Sequence, residues 1–181
     1  ITPVQEKSFF QLFAETIHAN NIRYGVKLTW VVMTNEQTHE EIIGFFEDND
    51  FWGLDKDTII FMEQAMMPAV NERGKILLAE KYKIARNPNG HGAIYDIMMN
   101  TGLYKDFKHK GIEYISYVPV DNPIINFIDP EFIGQHIIQH SEFSTKSVRK
   151  LYPEEKVGLL VMQNKKMKML EYIHLSEENA H

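Results

Sequence analysis

Two short apolar runs of strand length, Lys27 to Thr34 and Thr58 to Met62, flank a stretch with helical spacing through Glu40, Glu41, Ile42, Ile43, Phe45 and Phe46. Strand, helix and strand in that order predict a parallel crossover, since parallel neighbours need a long connection and a helix supplies it. Upstream, Phe9, Phe10, Leu12, Phe13 and Ile17 recur at helical spacing. They predict a core-facing helix that Thr2 or Ser8 can cap and that ends near Asn20 and Asn21. The fold class is therefore α/β. With 181 residues the chain is of single-domain size and able to bury roughly 70 per cent of its unfolded surface.

A second stretch, Ile112 to Ile133, organises the remainder. Glu113 to Val120 is largely apolar and aromatic, lies between Gly111 and Pro123, and reads as a buried strand that delivers Asp121 and Asn122 at its end. Strand ends and the loops after them form the ligand crevice of open α/β sheets. A carboxylate there suits a hard divalent cation or a ribose hydroxyl; equally, Asp and Asn are common turn residues, and Asp121 can simply start a turn. Glu63 and Gln64 stand at the end of the Thr58 run in the same way. Pro68 to Gly74 reads as a loop and Ile76 to Leu78 as a short strand. Asn87 to Ala93 is a glycine-rich turn before a helix that starts close to Gly92. Such a junction exposes backbone N–H groups and lets a phosphate or a nucleobase edge approach the main chain, although two glycines one residue apart also occur in ordinary loops.

Tyr104 to Gly111 reads as a solvated helix face. Asp129, Pro130 and Glu131 form a helix start with cap, first-position proline and first-turn acid. Phe143 to Arg149 is expected to be extended and Pro153 to Glu155 a loop. Val157 to Met162 and Met167 to Ile173 predict an antiparallel hairpin in which Glu171 stands among apolar neighbours, and the tail from Ser176 is expected to fray.

Composition removes several function classes. Nineteen Lys plus Arg against 25 Asp plus Glu give a net charge of -6 with no basic stripe, which argues against nonspecific nucleic-acid binding. The absence of cysteine excludes thiol nucleophiles and thiolate metal sites and fits a cytoplasmic protein. No run approaches the roughly 18 apolar residues of a membrane span, and no signal pattern opens the chain. His136 and His140 lie four apart on one helix but lack the glutamate of a zinc-protease helix, so they read as structural or solvent-facing. No Gly-x-Ser-x-Gly elbow occurs, and the nine methionines read as core filler.

The ordered set Glu63 to Ala69, Gly74 to Leu78, Pro88 to Tyr95, Val120 to Asn122, Asp129 to Gly134, Lys150 to Gly158 and Glu171 to Tyr172 resembles the eukaryotic-type UDP-sugar pyrophosphorylases, and within them the UDP-N-acetylglucosamine branch. The resemblance runs from about Ser8 to Ser176. It implies a GT-A-like, Rossmann-related nucleotidyltransferase fold. It also implies a reaction joining UTP and an N-acetylhexosamine 1-phosphate into a UDP-sugar with release of pyrophosphate, with Mg²⁺ as cofactor. Carried over by motif, Gln64 and Gly90 read the uracil and His91 stands beside the nucleotide. Asp121 holds Mg²⁺ or the ribose-phosphate at the reacting centre. Asn122, Gly158 and Glu171 face the sugar.

The chain also departs from that pattern. Gly90-His91-Gly92-Ala93 replaces the Gly-Asn-Gly-Gly usual in the hexosamine branch and resembles the UDP-glucose and broad UDP-sugar branches, and Ala65 stands where a glycine is usual. No Leu-x-Gly-Gly-x-Gly-Thr-Arg-Leu-Gly-type triphosphate loop is found in these residues. The expectation is a central part of a catalytic domain, inactive alone and prone to self-association, with a noncatalytic nucleotide-sugar-binding paralogue as the alternative from another class.

Overall fold

The computed structural model describes residues 6–122, 125–152 and 155–171, in two units, Ile1–Asp129 and Pro130–His181. In the first unit, α1 (Phe9–Tyr24) starts at Ser8, whose hydroxyl accepts from the Gln11 N–H at 3.1 Å. It runs past the expected stop at Asn20 and Asn21. Asparagine weakens helices by competing for backbone groups, but here the Asn20 amide donates back to the Thr16 carbonyl and the Asn21 side-chain oxygen accepts from the Leu28 N–H. Neither side chain disturbs the helix, which ends instead at Gly25 with φ +63°.

The parallel crossover is present. β1 (Trp30–Asn35) and β2 (Ile59–Gln64) pair in register from Trp30 opposite Ile59 to Asn35 opposite Gln64, joined through α2 (His39–Asp48). Side chains alternate across the pair with the period of two that a pleat imposes. Trp30, Val32, Ile59 and Phe61 pack with Ala14, Ile17, Ile42 and Phe46 from α1 and α2. Val31, Ile60 and Met62 pack with α3 (Ala93–Asn100) and α4 (Leu103–His109) through Ile94, Ile97, Met98, Leu103 and Phe107. Both faces are thus covered, as parallel strands require. Phe46 is fully buried, with the rings of Phe10, Trp52 and Phe61 each 5.0 Å away. Asp50, Phe51 and Trp52 all have positive φ, a conformation costing about 1–2 kcal/mol per non-glycine residue; it turns the Phe51 and Trp52 rings onto Phe46, and their burial offsets the strain.

One buried polar side chain ties the strands together. Thr34, 2 % exposed, donates to the Met62 carbonyl at 3.2 Å and lies 2.7 Å from His39 Nδ1. A hydroxyl has one proton, so the imidazole Nδ1–H is the donor to Thr34, and the start of α2 is pinned to the ends of β1 and β2.

The Pro68–Gly74 loop and the strand expected at Ile76–Leu78 belong to a longer excursion. β3 (Met66–Pro68) pairs antiparallel with β6 (Arg86–Pro88), β4 (Leu78–Glu80) with β5 (Lys83–Ile84), and Val70 bridges to Ile76. The chain therefore leaves the end of β2 and returns to it. α3 starts where expected, and α4 is solvated on one side while burying Leu103 and Phe107.

Glu113 to Val120 overturns the expectation of a buried central strand. The segment forms neither helix nor ladder, and Tyr114, Ile115, Tyr117 and Val120 are all exposed. Gly111 belongs to the preceding helix: with φ +71° it ends α4 in a Schellman turn, its N–H on the Lys108 carbonyl and the Ile112 N–H on the Phe107 carbonyl. The chain then continues without a strand partner, because β propensity prescribes a pleated surface without providing a neighbour to bond.

In the second unit, α5 (Pro130–Ile138) begins at the expected proline with Glu131 in its first turn. His140, at φ +49°, closes it: its N–H meets the Ile137 carbonyl and the Ser141 N–H the His136 carbonyl, the work a glycine usually does. Residues Phe143 to Arg149 carry neither helix nor ladder. β7 (Leu159–Gln163) and β8 (Lys166–Leu170) form the expected hairpin, Leu159 opposite Leu170 and Gln163 opposite Lys166. Its two-residue turn puts Asn164 and Lys165 at φ +52° and +62°, the primed geometry that matches strand twist. The expectations for Pro153, Glu154, Tyr172, Ile173 and the tail lie outside the described residues. Among the described residues no helix is long and apolar enough to cross a membrane.

Candidate functional site

The antiparallel excursion assembles the first part of the site. Beyond Met66 opposite Pro88, the Asn89 N–H donates to the Ala65 carbonyl at 3.0 Å and the Gly90 N–H donates to Gln64 Oε1 at 3.0 Å. The ladder thus zips past its last strand residue and holds the glycine turn against the C-terminal end of β2. Gln64 and Gly90, paired in the sequence reading only as uracil readers, are bonded to one another. Gly90 has φ +92°, where a side chain strains the backbone; Gly92, at φ −62° with open space around it, has no such need. Arg86 braces the excursion from outside, with Nη1 3.0 Å from the Glu36 carboxylate just beyond β1 and Nη2 donating to the Met66 carbonyl.

From this turn α3 begins, its first bonds running from the Ala93 N–H to the Gly90 carbonyl and from the Ile94 N–H to the His91 carbonyl. The His91 ring is exposed and sits edge-on to Tyr117, centroids 6.4 Å apart. Burial pushes the Tyr117 phenol above its ordinary pKa, and the neighbouring Tyr95 adds to the shift. The sequence reading missed Tyr117 as a site residue. It was absorbed into the apolar pattern of a strand, although a tyrosine three residues after Tyr114 in a segment rich in aromatics was a visible signal.

Asp121 and Asn122 lie exposed in a turn closed by the Asn122 N–H on the Pro119 carbonyl. Among the described residues the Asp121 carboxylate has no partner, and none bonds it to Gln64 or Gly90. Nor do three or more His, Asp or Glu side chains gather there, among the described residues, to cage a metal ion. A lone exposed carboxylate still fits magnesium, which keeps waters and takes one or two carboxylates together with substrate phosphates. His136 spends its Nδ1 on the Ser144 hydroxyl at 2.8 Å, in keeping with a structural role.

In the second unit Gly158 and Glu171 come together. They continue the β7–β8 register one pair beyond Leu159 opposite Leu170, and a Cβ on Gly158 would lie 3.7 and 3.8 Å from the Glu171 carboxylate oxygens and 3.1 Å from Met169 Sδ. Glu171 is exposed, which resolves the cost of a carboxylate among apolar neighbours by solvation.

The chain is similar to known proteins over most of its length. A probable UDP-N-acetylglucosamine pyrophosphorylase of Schizosaccharomyces pombe is 37% identical over 153 residues, covering 84% of this chain and 32% of its own length. A crystal structure described as a UDP-N-acetylglucosamine pyrophosphorylase of Entamoeba histolytica superposes with a TM-score of 0.87 at 34% identity, covering 98% of this chain and 46% of that one. The uridine diphosphate N-acetylglucosamine pyrophosphorylase of Trypanosoma brucei, solved in complex with an inhibitor, gives 0.84 at 28% identity, with 95% and 37% covered. The chain spans about a third of the length of the curated relatives it matches, from 32% to 38%. The model of the UTP–glucose-1-phosphate uridylyltransferase family matches residues 1–181, and the chain belongs to that family.

Proposed function

We propose that this chain carries uracil-facing and sugar-facing residues of a uridylyltransferase that makes UDP-N-acetylglucosamine and pyrophosphate from UTP and N-acetylglucosamine 1-phosphate. The observation that carries the proposal is the Gln64–Gly90 hydrogen bond at the end of β2. It holds one acceptor and one donor side by side, satisfied by each other in the free protein. The imide edge of uracil presents an N–H next to a carbonyl and can replace that internal bond with two, the N–H to Gln64 Oε1 and the carbonyl to the Gly90 N–H. Nucleobase recognition then costs no orphaned buried group.

In the proposed reaction a sugar phosphate oxygen attacks the α-phosphorus of UTP in line as pyrophosphate leaves. No protein nucleophile is required, and the chain acts by positioning and by electrostatics. Asp121 is the residue that would hold Mg²⁺, which when bound offsets phosphate charge. By the family resemblance Asn122, Gly158 and Glu171 are sugar-facing residues; the exposed Glu171 carboxylate is open to accept hydrogen bonds from sugar hydroxyls, and the absent side chain at Gly158 leaves space for that carboxylate and Met169. The absence of cysteine supports a cytoplasmic setting. The Gly90-His91-Gly92-Ala93 turn favours a second reading, glucose 1-phosphate or a broader range of sugars, with the same uridine chemistry.

Calorimetric titration of the chain with UDP-N-acetylglucosamine and Mg²⁺, against UDP-glucose and an adenine nucleotide, tests both. Saturable binding that prefers uracil and is weakened roughly tenfold by Gln64→Ala is expected, since the truncation leaves the imide N–H without its acceptor at a cost of about 1–3 kcal/mol. Preference for UDP-glucose selects the second reading, and equal binding of the adenine nucleotide overturns the uracil assignment.

A further inference from the structure

The Gln64–Gly90 pair recognises an edge, and an edge alone does not fix a base. A nucleobase held only by in-plane hydrogen bonds swings out of that plane unless something flat lies against its face. Tyr117 meets that need. Its ring is the aromatic partner of His91, which follows Gly90 directly in the chain, and Tyr95 lies on α3, the helix that opens at the same turn. The ring is still 48 % exposed. Tyr95 is exposed as well. Tyr117 stands in a segment with no ladder and Tyr95 on the helix that the glycine turn opens, so two open rings flank that turn, one of them against His91.

We infer that Tyr117 is a base-binding residue, its ring supplying the stacking face for the uracil whose edge Gln64 and Gly90 read, with His91 set edge-on to fix the ring. The inference rests on the proposed uridine site and adds the residue that sets its affinity. Stacking tolerates any base, so Tyr117 contributes strength, and Gln64 with Gly90 contributes the choice of base. The partly buried phenol stays neutral at working pH, so no phenolate charge stands beside the nucleotide phosphates.

The test is calorimetric titration of the chain with UDP in Mg²⁺. Tyr117→Phe keeps the ring and binds within about twofold of the wild type, while Tyr117→Leu keeps apolar bulk without a π-face and binds roughly tenfold more weakly, within what one base–aromatic stack is worth. Tyr117→Trp supplies a second measurement that needs no loss of binding: saturating UDP quenches its added indole emission relative to wild type, in which only Trp30 and Trp52 emit. Tyr117→Leu binding like wild type, or Tyr117→Trp binding UDP without quenching, overturns the inference and leaves the uridine site standing. A wild-type chain indifferent to UDP overturns the uridine site and this inference together.

Discussion

Trp30–Asn35 and Glu113–Val120 are alike in composition, each short, β-branched and aromatic, and they end differently. The first pairs along its whole length with β2 and buries both faces. The second has no ladder, and four of its large side chains are exposed. The difference lies outside both segments. α2 carries the chain from β1 back to a parallel neighbour in one crossover, whereas α4 ends in a Schellman turn that releases the chain with no strand alongside it. A strand is made by what brings its partner, more than by its own residues.

The largest test of that comparison is a pair of truncations. Phe46→Ala removes the ring at the centre of the β1–β2 face, with five aromatic neighbours within 6.3 Å. It should cost about 3–5 kcal/mol, a large share of a domain stability of about 5–15 kcal/mol. Ile115→Ala, in the segment without a ladder and 54 % exposed, should cost less than about 1 kcal/mol. Urea unfolding midpoints measure both; an Ile115→Ala loss as large as that of Phe46→Ala would show the segment to be core.

A smaller effect follows from the strand edges. Among the described residues β1 and β2 each have a single neighbouring strand, and Glu113–Val120 has none. Unpaired edges invite pairing between copies, so sedimentation velocity should show a weak, concentration-dependent dimer that Ser116→Pro, by removing one donor from the segment, diminishes. A strictly monomeric profile at high concentration breaks the comparison, since the segment would then behave as an ordinary loop.

Legibility in the sequence follows the same physics. The crossover, both of its strands, the helix after Asp129 and the hairpin were readable because period and punctuation are local properties. The fate of Glu113–Val120 was not, since a missing neighbour leaves no trace in the segment itself. In the site, Gln64 and the Gly90 turn stood out as a strand end and a glycine cluster. Their mutual bond did not, because it depends on an excursion returning in register through β3 and β6. Gly158 and Glu171 meet because a two-residue turn at Asn164 and Lys165 fixes the hairpin register. Tyr117 was hidden by the strand pattern that the structure overturns.

The smallest effect sharpens the comparison at the start of the paired strands. Lys27 leads into β1 and Asp55 leads towards β2, and their side chains meet at 2.9 Å where the chain approaches each strand; the segment without a ladder has no counterpart to such a bridge among the described residues. Both groups are well exposed, so the pair is screened and its contribution is slight. Its sign with pH is fixed. The Lys27 ammonium holds the Asp55 carboxyl below its ordinary value of 3.8, helped by the Asp57 N–H, and Asp55 in turn holds Lys27 above 10.5. A depressed acid stabilises the fold above its unfolded pKa and loses that contribution as pH falls through the folded one; a raised base does the converse in alkali. Asp55→Asn keeps an oxygen for the Asp57 N–H and removes only the charge. Wild type should therefore unfold at slightly higher urea than Asp55→Asn from about pH 5 to pH 9, with the gap closing below roughly pH 4 and also on adding about 0.5 M salt. A gap that persists in acid would mean that Asp55 acts through something other than its charge, and that β1 and β2 are brought together by α2 and the core alone.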